Sequence, residues 1–263
     1  MSTPADSPVD ENTTRVDLGA YGGWLFDMDG VLTKTAAVHA AAWAEAFDEF
    51  LQREATKSST KYVPFDIESD YDAFVDGKPR EDGVRDFLAS RDITLPEGAD
   101  SDTSDARSVK GLARRKNDLV LEVMKRDGVA VFEGAAELVK ELRRRGVKVA
   151  VVSASENTRA ALKSAGILEL FDTIVDGNVL KDRHLAGKPA PDSFLEGARL
   201  VGVEPKHCVV LEDALAGVQS GRAGHFALVI GVDHHDAPPS HEYGDQLRAH
   251  GADIVVTSLN ELT

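Results

Sequence analysis

The stretch Trp24-Leu25-Phe26-Asp27-Met28-Asp29-Gly30-Val31-Leu32 decides how the chain is read. An apolar run suited to a buried strand leads into two carboxylates, then into a glycine that lets the chain turn. Residues two apart on an extended backbone point to the same side. Asp27 and Asp29 therefore project together from a strand end, where open α/β sheets hold their ligands. Carboxylates this close repel each other unless a cation or a shared proton intervenes. A hard divalent cation such as Mg²⁺ fits, and phosphates commonly share its coordination sphere. Asp-x-Asp-Gly also occurs in ordinary acidic turns, so the pair alone leaves both readings open.

Working outward, residues 1–17 are polar, Pro-containing and aperiodic, which predicts a disordered tail. Downstream, residues 35–128 read as helix after helix with no strand. A first helix is predicted from Thr35 to about residue 55, with His39, Trp43, Phe47 and Phe50 or Leu51 on one stripe. Residues 52–72 read as irregular, 80–91 as a helix and 97–105 as an acidic loop. A long helix follows over 105–126. Beyond residue 128 the texture changes. Near-continuous apolar strands at 147–152, 173–175, 208–211, 226–230 and 253–256 alternate with helices at 134–145, 157–165, 191–201, 214–223 and 241–250. That alternation indicates a parallel sheet covered on both faces. The expected class is α/β: a Rossmann-like parallel-sheet core, 18–34 plus 129–263, interrupted by an all-helical cap, 35–128.

Composition narrows the function classes. Thirty Lys and Arg against 45 Asp and Glu give a formal charge of −15, which disfavours nucleic acid and anionic membranes as partners. The run Arg143-Arg144-Arg145 ends a helix before Gly146, where cations complement the helix dipole. The single cysteine, Cys208, excludes an internal disulfide or a multi-cysteine zinc site, and its apolar neighbours make it a buried strand residue. With no membrane-length apolar run and no signal-peptide core, a cytoplasmic monomer is expected.

Three further strand ends carry chemistry. The first is Ser153-Ala154-Ser155-Glu156-Asn157, whose hydroxyl and following N–H groups suit a phosphate oxygen, though taken alone an ordinary helix-cap serine is the better reading. The second is Gly187-Lys188-Pro189-Ala190-Pro191, where two prolines stiffen the support of an ammonium. The third is Glu212-Asp213, a second acidic pair.

With Asp27-Met28-Asp29-Gly30, these strand ends resemble the four motifs of the haloacid dehalogenase superfamily, over nearly all the chain after the tail. The cap sequences Thr35-Ala36-Ala37-Val38-His39-Ala40-Ala41-Ala42-Trp43, Gly77-Lys78-Pro79-Arg80 and Arg115-Lys116-Asn117-Asp118 are similar to those of its β-phosphoglucomutase-like family. The resemblance implies interconversion of β-glucose 1-phosphate and glucose 6-phosphate, primed by glucose 1,6-bisphosphate. The alternative is an Mg²⁺-dependent sugar-phosphate phosphatase. It implies Asp27 as nucleophile, Asp29 as general acid and base, and Ser153 and Lys188 as stabilisers of phosphoryl charge. Mg²⁺ would be held by Asp27, the Asp29 carbonyl and Asp213, with Glu212 close by. Thr35, His39, Trp43, Gly77, Arg80, Lys116, Ala154 and Asn157 are the implied substrate contacts. Lys116 lies on an apolar stripe, so it either snorkels or meets an anion; the anion is the preferred reading. Glu156 departs from the family pattern, which often has lysine there, and would repel a phosphate unless it turned outward. His234 and His235 read as solvated loop residues.

Overall fold

The computed structural model describes residues 16–58, 61–75, 80–234 and 242–263. Six strands form one sheet: β1 (Gly23–Phe26), β2 (Lys148–Val152), β3 (Thr173–Val175), β4 (Cys208–Glu212), β5 (Leu228–Val232) and β6 (Ile254–Val256). Their order is β3-β2-β1-β4-β5-β6 and every pairing is parallel. Trp24, Leu25 and Phe26 are fully buried, as are Val149 to Val152 and Cys208 to Leu211. Strands buried on both faces need apolar side chains at every position, which is why these segments read as continuous runs.

The order reverses at β1, which lies between β2 and β4. In open α/β sheets this switch point is where ligands sit. Register makes the point specific: Phe26 is level with Val151 on one side and Leu211 on the other. Asp27, Val152 and Glu212 are thus the next residues on three adjacent strands.

The chain divides into two compact units, residues up to Thr35 with Val129–Thr263, and Ala36–Gly128. The helical unit is built from α1 (Thr35–Ser58), α2 (Arg80–Ala89) and α3 (Val109–Asp127), with a π-helical turn at Tyr71–Val75. Its core is aromatic. Phe47 stacks on Trp43 at 4.9 Å and on Phe65 at 5.3 Å, and its ring lies 4.1 Å from that of Phe87. The helix stripe predicted around His39 is thus mostly packing. α1 runs to Ser58, beyond the expected end, and Phe65 is buried within the stretch read as irregular. α3 begins at Val109, four residues later than expected, because Ser108 caps it: its hydroxyl accepts from Gly111 N–H at 3.0 Å.

Around the sheet lie α4 (Ala135–Arg144), α5 (Thr158–Ser164), α6 (Gly177–Asp182), α7 (Asp192–Val201), α8 (Leu215–Ala223) and α9 (Glu242–Ala249). α6 was not expected; Asp176 accepts from Val179 N–H at 3.0 Å and starts a helix. The two segments flanking the helical insert run side by side. Lys34 N–H donates to Ala130 at 2.9 Å, and Phe132 N–H to Leu32 at 3.0 Å. Of the predicted tail, residues 1–15 lie outside the described residues; Val16 is buried and Asp17 caps the turn Leu18–Ala20.

Candidate active site

The loop after β1 is held by its own backbone. Leu32 and Thr33 N–H both donate to the Met28 carbonyl, and Gly30 N–H donates to Thr33 at 3.0 Å. Gly30 has φ +80°, and a Cβ there would stand 1.8 Å from Asp213 Oδ2. Only glycine allows the second acidic pair to come this close to the first loop.

Asp27 is buried at the strand end, with its N–H bonded to Leu211. The Lys188 ammonium contacts Asp27 Oδ1 directly, lies 2.5 Å from Glu212 Oε1 and donates to the Val152 carbonyl at 3.3 Å. The Phe194 ring lies 4.7 Å from it. Glu212 also accepts from Ala214 N–H at 2.9 Å. Gly217 makes room for it, since a Cβ there would stand 1.8 Å from Oε1. Asp29 accepts from the hydroxyl of the buried Thr35. Ser153 is buried, and its hydroxyl accepts from Ser155 N–H at 3.1 Å, while Asn157 precedes α5. Ala154 and Glu156 are exposed.

One ammonium stands among four carboxylates. Burial pushes Asp27 well above the ordinary carboxyl range; Lys188 pulls it back, while Glu212, Asp213 and Asp29 push it further up. Asp213 is pushed up to about 7, by burial and then by Glu212. Burial alone would lower Lys188, but Asp27 and Glu212 more than reverse that and keep it an ammonium. The site is short of positive charge. Among the described residues, no three carboxylate, imidazole or thiolate side chains gather tightly enough to hold an ion by themselves. Mg²⁺ does not require that, because it keeps several waters and takes one or two carboxylates plus substrate phosphate. The hard oxygen donors of Asp27 and Asp213 and the Asp29 carbonyl fit it; Glu212 is engaged by Lys188 and Ala214.

The helical unit holds the other expected contacts. Lys116 is buried, with Nζ 2.7 Å from His39 Nδ1 and 5.0 Å from the Trp43 ring centroid. Burial, then Lys116 and Arg80, hold the His39 pKa down at about 3. The ring is therefore neutral and Nδ1 accepts from the ammonium. Arg80 starts α2 and is half-buried; Gly77 lies outside the described residues.

One residue was not expected at the site, and one histidine lies in a different setting from the one its sequence suggests. Tyr243 donates its hydroxyl to the Asp213 carbonyl at 2.7 Å, and burial followed by the acids raises its pKa to about 12. His234, expected in solvent, stacks on Phe132 with ring centroids 3.8 Å apart and bonds the Thr257 carbonyl through Nδ1. Lys34 covers the same Phe132 ring at 5.1 Å. Offset stacking of aromatic rings is favourable beyond the area it buries. His235 lies outside the described residues. These contacts join positions from 23 to 102 residues apart, and no local pattern announces them.

Comparison with known proteins places the chain in a family. A family model described as haloacid dehalogenase-like hydrolase matches residues 23–225. A β-phosphoglucomutase of Mycobacterium bovis is 48% identical over 238 residues, 90% of each chain. Hexitol phosphatase A of Escherichia coli is 30% identical over 92% of this chain and 93% of its own. The crystal structure of a Clostridium difficile β-phosphoglucomutase superposes with a TM-score of 0.63 at 24% identity, over 92% of this chain and 93% of that one, a likeness of fold. The chain belongs to the haloacid dehalogenase-like hydrolase family, in its β-phosphoglucomutase-like branch.

Proposed function

We propose that the chain is a β-phosphoglucomutase, interconverting β-D-glucose 1-phosphate and glucose 6-phosphate through an aspartyl-phosphate and glucose 1,6-bisphosphate. The observation that carries the choice of mutase is the 48% identity over 238 residues to the M. bovis enzyme, against 30% to a hexitol phosphatase. Asp27 attacks phosphorus, the bond to the sugar oxygen breaks, and Asp29 gives that oxygen its proton. In the reverse direction Asp29 takes the proton of the incoming hydroxyl, so either end of the sugar can receive the phosphoryl group. Thr35 orients Asp29 by donating to its carboxylate. Lys188 and Ser153 face the phosphoryl oxygens. Members of the family generally use Mg²⁺; when bound by Asp27, the Asp29 carbonyl and Asp213, it neutralises charge on the transferring group.

A mutase must hold a phosphate at each end of its substrate, whereas a phosphatase needs only the reacting end. Arg80, Lys116 and Asn157 are proposed to hold the distal phosphate, with Thr35, His39, Trp43, Gly77 and Ala154 bordering the sugar. The positive surroundings of His39, to which Lys116 and Arg80 contribute, support this. Phosphorus NMR of the reaction with β-glucose 1-phosphate and a trace of bisphosphate tests the reading. The wild type should give glucose 6-phosphate faster than free phosphate. Arg80→Ala should slow isomerisation by about tenfold or more while hydrolysis changes little, since a charged bidentate contact is lost at the distal end only. Free phosphate as the main product, at a rate indifferent to Arg80→Ala, would instead mark a phosphatase.

A further inference from the structure

Residue 213 lies between two regular elements, after β4 ends at Glu212 and before α8 begins at Leu215. The preceding residue is secured twice, by Lys188 and by Ala214 N–H. Asp213 is secured differently. Its carboxylate packs against Gly30, where a Cβ would come within 1.8 Å of Oδ2, and its carbonyl accepts the Tyr243 hydroxyl at 2.7 Å. Tyr243 sits in the first turn of α9, and its ring packs on the buried cluster that includes Val210, Val218 and Leu247. A rigid aromatic anchored in the core thus holds one end of the Asp213 residue, while the other end touches the loop that carries Asp27 and Asp29.

We infer that Tyr243 is a positioning residue for the cation site: by fixing the Asp213 main chain, it sets where the Asp213 carboxylate can meet a divalent ion. The inference rests on the reading of Asp213 as a ligand. Partners that orient a ligand typically matter by 10- to 100-fold in metal affinity. A neutral bond to the ligand's backbone belongs at the lower end, so roughly tenfold is expected. Phenylalanine keeps the ring and removes only the donor.

The experiment is calorimetric titration of Mg²⁺ into the metal-stripped full chain, for wild type, Tyr243→Phe and Tyr243→Leu. Melting temperatures without Mg²⁺ and steady-state kinetics at saturating Mg²⁺ accompany it. The expected result is Mg²⁺ binding weakened about tenfold in Tyr243→Phe. Its sugar-phosphate KM, its kcat at saturating Mg²⁺ and its melting temperature should all be close to wild type. Tyr243→Leu should show at least the same loss of Mg²⁺ affinity plus a lower melting temperature. Unchanged Mg²⁺ affinity in Tyr243→Phe would overturn the inference and leave the tyrosine a packing residue, even if the leucine variant binds weakly. A wild type that binds no Mg²⁺ would overturn the ligand reading itself, and the inference with it.

Discussion

Each unit of the chain holds a lysine largely out of solvent, and the two settings differ in sign. Lys188 lies against Asp27 and Glu212, with Asp29 and Asp213 close enough to raise the Asp27 pKa. Lys116 lies against the His39 ring nitrogen and the Trp43 face, and with Arg80 it depresses the imidazole. The first cluster has an excess of acid that one ammonium does not balance. In the second, burial first and then two cations keep a histidine from protonating. Charges are costly to bury unless partnered. The acidic cluster is therefore suited to a cation, and the basic one to an anion arriving with a substrate.

The largest expected effect comes from removing the nucleophile. Asp27→Asn keeps the shape of the acidic cluster and lowers its charge, so the protein should fold. Turnover should fall by about 10⁴-fold or more, as when other covalent nucleophiles are lost, and Mg²⁺-dependent labelling by bisphosphate should vanish. Turnover that persists would mean that the acids around Lys188 serve structure alone.

Next comes the lysine itself. Lys188→Met removes the ammonium and leaves Asp27 and Glu212 buried without it. Breaking a buried pair from one side costs about 3–5 kcal/mol, and urea unfolding without Mg²⁺ should register a loss of that order. Added Mg²⁺ should recover part of it, because a divalent ion supplies the missing charge by mass action. An unaltered unfolding midpoint would erase the contrast between the two lysines.

The acidic cluster was more legible in the sequence than the basic one, for a physical reason. Strands buried on both faces must be apolar throughout, so Trp24-Leu25-Phe26 and Cys208-Val209-Val210-Leu211 announce themselves and the polar residues that end them stand out. Parallel register then brings Asp27, Ser153 and Glu212 to the same edge without further information. Helix faces are less explicit. His39 and Lys116 lie 77 residues apart in sequence, and only the packing of the helical unit joins them. The Ser108 cap illustrates the same limit: Asp105 and Ser108 are both good caps, and the choice falls to tertiary contacts. Tyr243 and the Phe132–His234 stack lie furthest from view, because each partner comes from a different part of the chain.

The smallest expected effect tests the depressed pKa of His39, to which the basic cluster contributes. His39 has a folded-state pKa of about 3 against an ordinary 6.5, set first by burial and then by Lys116 and Arg80. Below about pH 6.5 the unfolded chain takes up a proton that the folded chain refuses until near 3. Its contribution to stability is thus fully present above 6.5 and is lost as pH falls between those two values, by up to ~1.4 kcal/mol per pH unit. Urea unfolding at about pH 7.5 and 5.5 should therefore show a loss of ~1.4 kcal/mol in the wild type that His39→Asn does not share. Comparing the two proteins cancels the other histidines, which titrate in both. A histidine among acids would behave oppositely, with a raised pKa and a gain in stability on acidification. Equal pH slopes in the two proteins would mean that neither burial nor the neighbouring cations hold His39 down, and would remove one electrostatic reason to seat a distal phosphate beside Lys116 and Arg80.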